Sequence, residues 1–377
     1  MDIHFFNIYV LGMVLTLMLM VCFPTAELAN NRNGLFNTSL KLNKFILTVF
    51  FILFWGFIAA FRDLSVGTDT LNYSNIFIRI LHTDWAELPR DVEFSKFPLY
   101  LLYNKIVGIF FHAPNAITFF NSAIFVSGVT LFLYKHSKNL GMSLFLFLSL
   151  HYYFFALNIA RESLAVMLIL WVYHFAIRNK KLTALFINIL AALIHVTALI
   201  GLIVLFITLF CNSRNRALGI LIVFSVGIIF LRPLMILFVQ LFPHYKDYVY
   251  GDGSFSLLNN SSDGKRVYIA IFVLCIFLLC WLFPDSKFAK KQKESKSYIL
   301  FVLSVLAVEL MIIHRKNEVM ARLELYFTYF FMISLPYFIT NSLSGKYQKL
   351  VNLLIVMVLL IPFYTKLVNY LPYTMIF

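Results

Sequence analysis

Arg62, Arg161, Arg315 and Arg322 are scattered through the chain, yet each stands at or near the end of an apolar run. Arg62 follows the run 45–61 and opens Arg62-Asp63-Leu64-Ser65-Val66-Gly67-Thr68-Asp69-Thr70-Leu71-Asn72-Tyr73. Arg161-Glu162 heads the run 162–178, and His195 falls inside the apolar stretch 182–210. His314-Arg315-Lys316-Asn317-Glu318 leads to Arg322 between the runs 298–313 and 323–340. A guanidinium presents a planar fork that binds phosphate oxygens two at a time. Several of them converging on one face suit a phosphate or pyrophosphate headgroup. A neutral His or an ionised Asp can take a proton from a hydroxyl. The chemistry these residues suit is the binding of a lipid-linked phosphate with activation of a hydroxyl.

Each residue also has a plainer role open to it. Arg62 suits an interfacial anchor, and Gly67-Thr68-Asp69 an ordinary turn with Asp69 capping a following helix. Arg161 and Glu162 are adjacent, so they point differently on a helix and do not form a simple mutual pair. His195 among Leu193, Ile194, Val196 and Ala198 suits a satisfied core histidine. Arg322 follows Glu318 by the four residues that favour an ion pair on one helix face. Glu309 lies inside an apolar span with no obvious partner, and an ionisable residue at that depth points to function. Trp85, Tyr245, Tyr248 and Tyr250 suit sugar stacking or an interfacial belt equally. No HExxH, P-loop or GxGxxG is present, so neither a metal nor a nucleotide cofactor is expected. Cys22, Cys211, Cys275 and Cys280 have no metal-ligand or disulfide spacing and read as small apolar residues.

The elements that must position these groups follow from composition. Hydrophobic residues make up 61% of the 377 and charged residues only 13%, against about 25% charged in soluble domains. A cytosolic enzyme, a secreted disulfide scaffold and a disordered chain are excluded. The net charge of +14 sits in basic clusters between apolar runs, which reads as membrane orientation and not as nucleic-acid binding. Residues 1–23 lack a basic leader, so 5–23 is expected to remain as a span. Further spans are expected at 45–61, 115–134, 141–157, 162–178, 217–239, 267–283, 298–313, 323–340 and 350–367.

Placing Arg32/Lys41/Lys44, Lys135/Lys138, Arg178/Lys180/Lys181, Arg214/Arg216, Lys287–Lys296 and Lys346/Lys349 in the cytoplasm fixes the parity. The stretch 98–112 then does not cross and becomes a re-entrant or surface helix. The stretch 182–210 goes in and comes back as a short hairpin meeting near His195. The expected fold is an all-α, polytopic integral membrane helical bundle of about twelve membrane segments, one domain over 1–377. Outer loops are expected at 62–97 and 240–266, and a basic cytoplasmic loop at 284–297. Every candidate residue named above then falls toward the outer side.

Phe61 to Tyr73 resembles the "R…vGtDy.nY" signature of the EpsG/Wzy-like membrane polysaccharide polymerases. Asn158-Ile159-Ala160-Arg161-Glu162-Ser163-Leu164-Ala165 is similar to that family's "n..RQsla" helix start. Ala191-Ala192-Leu193-Ile194-His195-Val196-Thr197-Ala198-Leu199 resembles "a..fH.sal", and Arg322 before Leu325-Tyr326-Phe327 resembles "R...yf". The elements come in order and span about residues 45 to 335. Glu162 replaces the usual Gln, and Pro98 follows Phe97 where the family carries "yEp.f", leaving Glu93 as the nearest acid.

The resemblance implies a metal-independent membrane glycosyltransferase that polymerises undecaprenyl-pyrophosphate-linked repeat units at the outer leaflet of a bacterial inner membrane. O-antigen, capsule and exopolysaccharide are all open as products. It implies Arg161 and Arg322 on the pyrophosphate, with Arg62 as a second-line contact or a loop brace. Asp69 or His195 is then the base. Glu162, Tyr73, His314, Arg315 and Glu309 are secondary candidates. The implied partners are the lipid-linked glycan, the bilayer and a chain-length regulator, with no nucleic acid. The competing readings are a glycan ligase, a flippase for the same lipid-linked sugar, which Glu309 and Arg232-Pro233 would favour, and a membrane scaffold.

Overall fold

The computed structural model describes residues 8–26, 34–91, 93–230, 265–282, 295–313 and 318–367, with isolated positions at 233, 236, 237, 240 and 375. The expected loops 240–266 and 284–297 therefore lie largely outside the described residues. Among the described residues the chain is all-helical, with no strand beyond two isolated bridges, Ala26 to Asn139 and Arg62 to Met375. Five stretches are long and apolar enough to cross a membrane: Thr38–Ala60, Ala116–His136, Ser295–Ile312, Arg322–Ser342 and Gly345–Tyr364. A bent pair, Leu140–Ser149 with Tyr152–Asn158, makes a sixth if it counts as one span.

The N-terminal half runs α1 (Ile8–Cys22), α2 (Gly34–Ala60), α3 (Thr70–His82), α4 (Pro98–Phe110), α5 (Ala116–His136), α6 (Leu140–Ser149), α7 (Tyr152–Asn158) and α8 (Ala160–Ala176). A 3-10 turn, Leu88–Arg90, lies between α3 and α4. Asn139 starts α6 by accepting the Met142 amide at 3.2 Å on its side-chain oxygen, and every residue of α6 is buried. The helix stops because His151 takes a left-handed conformation, φ 64°, which His tolerates better than branched residues do. α7 leaves at 47° to α6. It lasts two turns before Ile159 breaks it again and α8 begins.

Helix breaks leave backbone carbonyls without intrahelical donors, and tyrosines and Trp55 satisfy several polar groups here. Tyr153 donates to the Trp55 carbonyl at 2.9 Å and Tyr152 to that of Thr328 at 2.7 Å. Tyr329 donates to the Tyr152 carbonyl at 3.1 Å, and Trp55 to Thr16 Oγ1 at 3.1 Å. In lipid the hydrophobic drive between helices vanishes, so such bonds and close packing of small residues hold the bundle together.

The C-terminal half continues with α9 (Lys181–Ile194), a 3-10 turn (Val196–Ile200), α10 (Gly201–Phe210) and α11 (Arg214–Ile229). It ends with α12 (Lys265–Leu282), α13 (Ser295–Ile313), α14 (Glu318–Thr328), α15 (Phe331–Ser342) and α16 (Gly345–Leu367). The stretch 182–210 is thus two short helices broken at His195, whose backbone is extended. Gly201 makes the return possible. A Cβ there would lie 2.3 Å from both Asn188 Oδ1 on α9 and Ile169 Cδ1 on α8, so only glycine lets α10 approach this closely. The stretch 98–112 is the thirteen-residue α4, packed against α3 and α9. α15 is buried almost throughout. It is tied to α6 by Ser143 Oγ donating to the Met332 carbonyl at 2.5 Å, and to α13 by Ser304 and Ser334 at 2.9 Å.

Candidate active site

The α7–α8 break is the anchor of the site. It frees the Leu157 carbonyl and the Asn158 side chain, and both are taken by the segment after α2. The Thr68 amide donates to Asn158 Oδ1 at 3.0 Å, and the Thr70 hydroxyl lies 2.7 Å from the Val66 carbonyl and 3.3 Å from that of Leu157. Gly67 has φ +99°, and a Cβ on it would stand 2.8 Å from the Leu157 oxygen. The Gly67-Thr68-Asp69 turn is therefore shaped to dock on this break. In the same loop Asp63 accepts the Ser65 amide at 2.9 Å. Bonds from the Ser65 side chain and then its amide hold the Asp63 carboxyl below the usual range.

Arg62 closes the other side of the break. It is 1% exposed. Its Nη1 donates to the Ala59 carbonyl and to Ser122 Oγ at 2.8 Å, and its Nη2 to the Leu157 carbonyl at 3.2 Å. This guanidinium joins the end of α2 to α5 and α7, the geometry of a brace.

The docked turn launches α3 so that Tyr73 meets the start of α8. Asp69 stands at the helix N-cap position without a side-chain capping bond, one turn before Tyr73. The Tyr73 hydroxyl reaches the Arg161 backbone amide, an orphan donor in the first turn of α8. Burial raises the Tyr73 pKa and the Arg161 guanidinium opposes that rise. Arg161 itself lies flat on Phe97, its Cζ 3.4 Å from the ring centroid, with Tyr100 at 5.7 Å. Its Nε and Nη1 are buried and make no hydrogen bond among the described residues. Phe97 also touches the His195 ring, centroid to centroid 5.5 Å. A half-buried cation with idle, directed N–H groups thus stands next to an imidazole.

Glu162, 1% exposed, faces the other way into the protein. Its Oε2 is 3.8 Å from Arg322 Nη1 on α14, and its Oε1 lies 3.5 Å from the Thr197 hydroxyl. That hydroxyl is also 2.9 Å from His195 Nδ1 and 2.9 Å from the Tyr326 hydroxyl. Arg161 and Arg322 are both near enough to bear electrostatically on His195. Arg161, Glu162, His195 and Arg322 therefore come together from α8, the α9–α10 turn and α14, with Tyr73 and Asp69 alongside. Arg322 keeps 35% of its side chain exposed, so the cluster opens on its side.

Arg62 and Glu309 stand elsewhere. Glu309 on α13 accepts a bond from Ser225 on α11 at 2.7 Å, a partner that the spacing did not suggest. His314 and Arg315 lie outside the described residues, as do Arg232 and the Glu318 side chain expected beside Arg322. Phe97, Tyr100, Thr197 and Tyr326 were not foreseen as site residues. Thr197 had a signal, a hydroxyl two residues from His195 in an otherwise apolar string. Phe97 had one too, an aromatic directly before the proline that starts α4. Among the described residues no group of three or more His, Cys, Asp or Glu is placed to hold a metal ion.

What the arrangement can do chemically is hold an anion between two guanidiniums, at the N-terminus of a helix whose dipole also favours negative charge. A histidine waits beside it. Glu93, in the loop between α3 and α4, lies 3.5 Å from Arg79 and near enough to Tyr100 to bear on it electrostatically. No curated protein and no solved structure matches the chain. The EpsG family model matches residues 45–375, which takes in every element of the cluster, and the chain belongs to the EpsG family.

Proposed function

We propose that the protein is a membrane glycosyltransferase that polymerises undecaprenyl-pyrophosphate-linked oligosaccharide repeats at the outer leaflet. EpsG membership supports a membrane polysaccharide polymerase-like role. The observation that carries the finer reading is Arg161: a half-buried guanidinium, stacked on Phe97, whose buried Nε and Nη1 make no hydrogen bond among the described residues. A buried charge without hydrogen bonds is costly, and a diphosphate oxygen supplies what is missing.

In the proposed reaction an acceptor sugar hydroxyl attacks the anomeric carbon of the donor. The carbon–oxygen bond to phosphate breaks, and the diphosphate leaves with the electron pair. Arg161 and Arg322 take up its developing charge, and His195 receives the hydroxyl proton, with Asp69 as the alternative base. No metal is required in this scheme. Such preorganised donors act most strongly where water is excluded. Helix lengths favour a sunken site. With Lys180 and Lys181 at the cytoplasmic surface, the fourteen residues of α9 rise about 21 Å at about 1.5 Å each. His195 then sits inside a hydrocarbon core of about 30 Å. We assign the prenyl chain to the apolar groove between α10 and α11, lined by Leu202, Ile203, Phe206, Ile220 and Val223, which starts just beyond the Val196–Ile200 turn.

This reading keeps the count of about twelve membrane segments, a periplasmic or extracellular active face, and a chain-length regulator as partner. The product is O-antigen, capsule or exopolysaccharide. A flippase for the same lipid-linked sugar is the second reading, favoured by Glu309, a partly buried carboxyl on a membrane-spanning helix. A glycan ladder separates them. Cells carrying Arg161→Ala should leave single repeats on the final acceptor. Almost no repeats at all would favour the flippase, polymer stranded on its lipid carrier would favour a ligase, and unchanged chains would remove Arg161 from the mechanism.

A further inference from the structure

We propose that Thr197 is a positioning residue: accepting a bond from His195 Nδ1–H, it fixes the tautomer that leaves Nε2 bare toward the bound substrate. The proposal rests on the reading that His195 takes the acceptor proton, and it adds the device that makes the ring able to do so.

The hydroxyl of Thr197 has one proton and two lone pairs, and three groups surround it. Glu162 Oε1 is at 3.5 Å, His195 Nδ1 at 2.9 Å and the Tyr326 hydroxyl at 2.9 Å. In its ionised form, the form that pairs with Arg322 Nη1 at 3.8 Å, Glu162 can only accept. Its other oxygen is buried without a hydrogen bond, so Oε1 depends on Thr197 for its donor, although the contact is long. If Thr197 donates to Glu162, both its lone pairs are open. Tyr326 and His195 Nδ1–H then donate into them, and all four groups are satisfied at once. If Thr197 instead donates to His195, Glu162 is left with no hydrogen bond at either oxygen, the costly outcome for a group this deeply buried. The tautomer of a histidine is set by the bond its other nitrogen makes. Nδ1–H on Thr197 leaves the Nε2 lone pair available, and among the described residues Nε2 has no hydrogen-bond partner of its own.

The charged and titratable groups that face His195 are Arg161 and Glu162 from α8, Arg322 and Tyr326 from α14, and Tyr100 of α4 behind Phe97. Glu162 acts on the ring only through Thr197. Among the described residues the hydroxyl of Thr197 is thus the one direct hydrogen-bond contact of the ring, and it decides which nitrogen is protonated.

The test is nitrogen NMR of ¹⁵N-histidine-labelled full-length protein in lipid nanodiscs at neutral pH, with the His195 signals identified by their loss in His195→Gln. The expected result is a protonated Nδ1 and a bare Nε2 in the wild type and in Thr197→Ser. Thr197→Val should lose the Nδ1–H state, and polymer synthesis should fall roughly tenfold or more, since general-base catalysis needs the correct protonation state. Thr197→Ser should restore both. Tyr326→Phe, which removes a donor to Thr197 but not the acceptor, should keep Nδ1 protonated. A wild-type ring with its proton on Nε2, or an unchanged tautomer in Thr197→Val, overturns the proposal. If His195→Gln polymerises normally while the wild-type ring is Nδ1–H, the functional reading fails and the hydrogen-bond assignment stands.

Discussion

Replacing Gly67 with alanine should undock the first loop from the α7–α8 break and, through it, displace Tyr73 from the head of α8. The backbone there has φ +99°, where a Cβ costs about 1–2 kcal/mol. The added carbon would also stand 2.7 Å from Thr70 Oγ1 and 2.8 Å from the Leu157 carbonyl oxygen. The backbone oxygen cannot swing aside, so the turn itself must move. That motion stretches the Thr68–Asn158 and Thr70–Leu157 contacts at 3.0 and 3.3 Å, each worth about 1 kcal/mol. Not every loss is complete, so the docked state weakens by about 2–4 kcal/mol, roughly a 30- to 1,000-fold change in its equilibrium. Amide hydrogen exchange over Thr68–Tyr73 reads this directly, and glycan chain length reads its consequence. Gly227→Ala is the control, since nothing lies within 4 Å of its added Cβ. Wild-type exchange protection in Gly67→Ala would refute the docking of this turn as a constraint on the site.

Arg62→Met should lower stability by about 3 kcal/mol, because the Ala59 carbonyl, Ser122 Oγ and the Leu157 carbonyl each lose a guanidinium hydrogen bond; thermal unfolding in detergent measures it, and a melting temperature within 1–2 °C of wild type, by about the usual scaling, would contradict the brace. Arg161→Lys keeps the charge but loses the planar fork and the stacking on Phe97, so polymer synthesis should fall about tenfold, with Arg161→Ala lower by about another tenfold, in line with the loss of a preorganised donor. Equal activity of the lysine variant and wild type would argue for charge alone. Tyr73→Phe retains the ring against Tyr100 and removes only the hydroxyl at the Arg161 amide, so a loss of activity of about threefold to tenfold is expected, with the unfolding temperature lowered by less than in Arg62→Met.

Much of this site was legible because its residues break local rules. An Arg-Glu pair at the head of an apolar run, a Gly-Thr-Asp turn after one and a histidine inside another are each costly in lipid. Basic residues at both ends of 182–210 imposed a return, and the helix breaks at His195. What was not legible is long range. Arg322 also has Glu162 as a carboxylate neighbour in the fold, brought to it only by the packing of α8 on α14. The break inside 141–157 was also hidden, since it rests on a left-handed His151 where no glycine or proline marks it. The hub at Thr197 needed three elements in place before its two lone pairs and one proton could be counted. Glu309 shows the same limit, because Ser225 lies on a helix that spacing alone cannot set beside it.

The central claim is that Arg161 and Arg322 form one diphosphate site. Binding of a short polyprenyl diphosphate and of the matching monophosphate to the full-length protein in nanodiscs, wild type against Arg161→Gln, Arg322→Gln and the double variant, tests it most directly. The account predicts that the diphosphate binds wild type more tightly than the monophosphate. Each single variant should lose roughly tenfold, as expected for a charge-assisted contact, and the double variant should bind the two lipids alike. Unchanged diphosphate affinity in the double variant would contradict it.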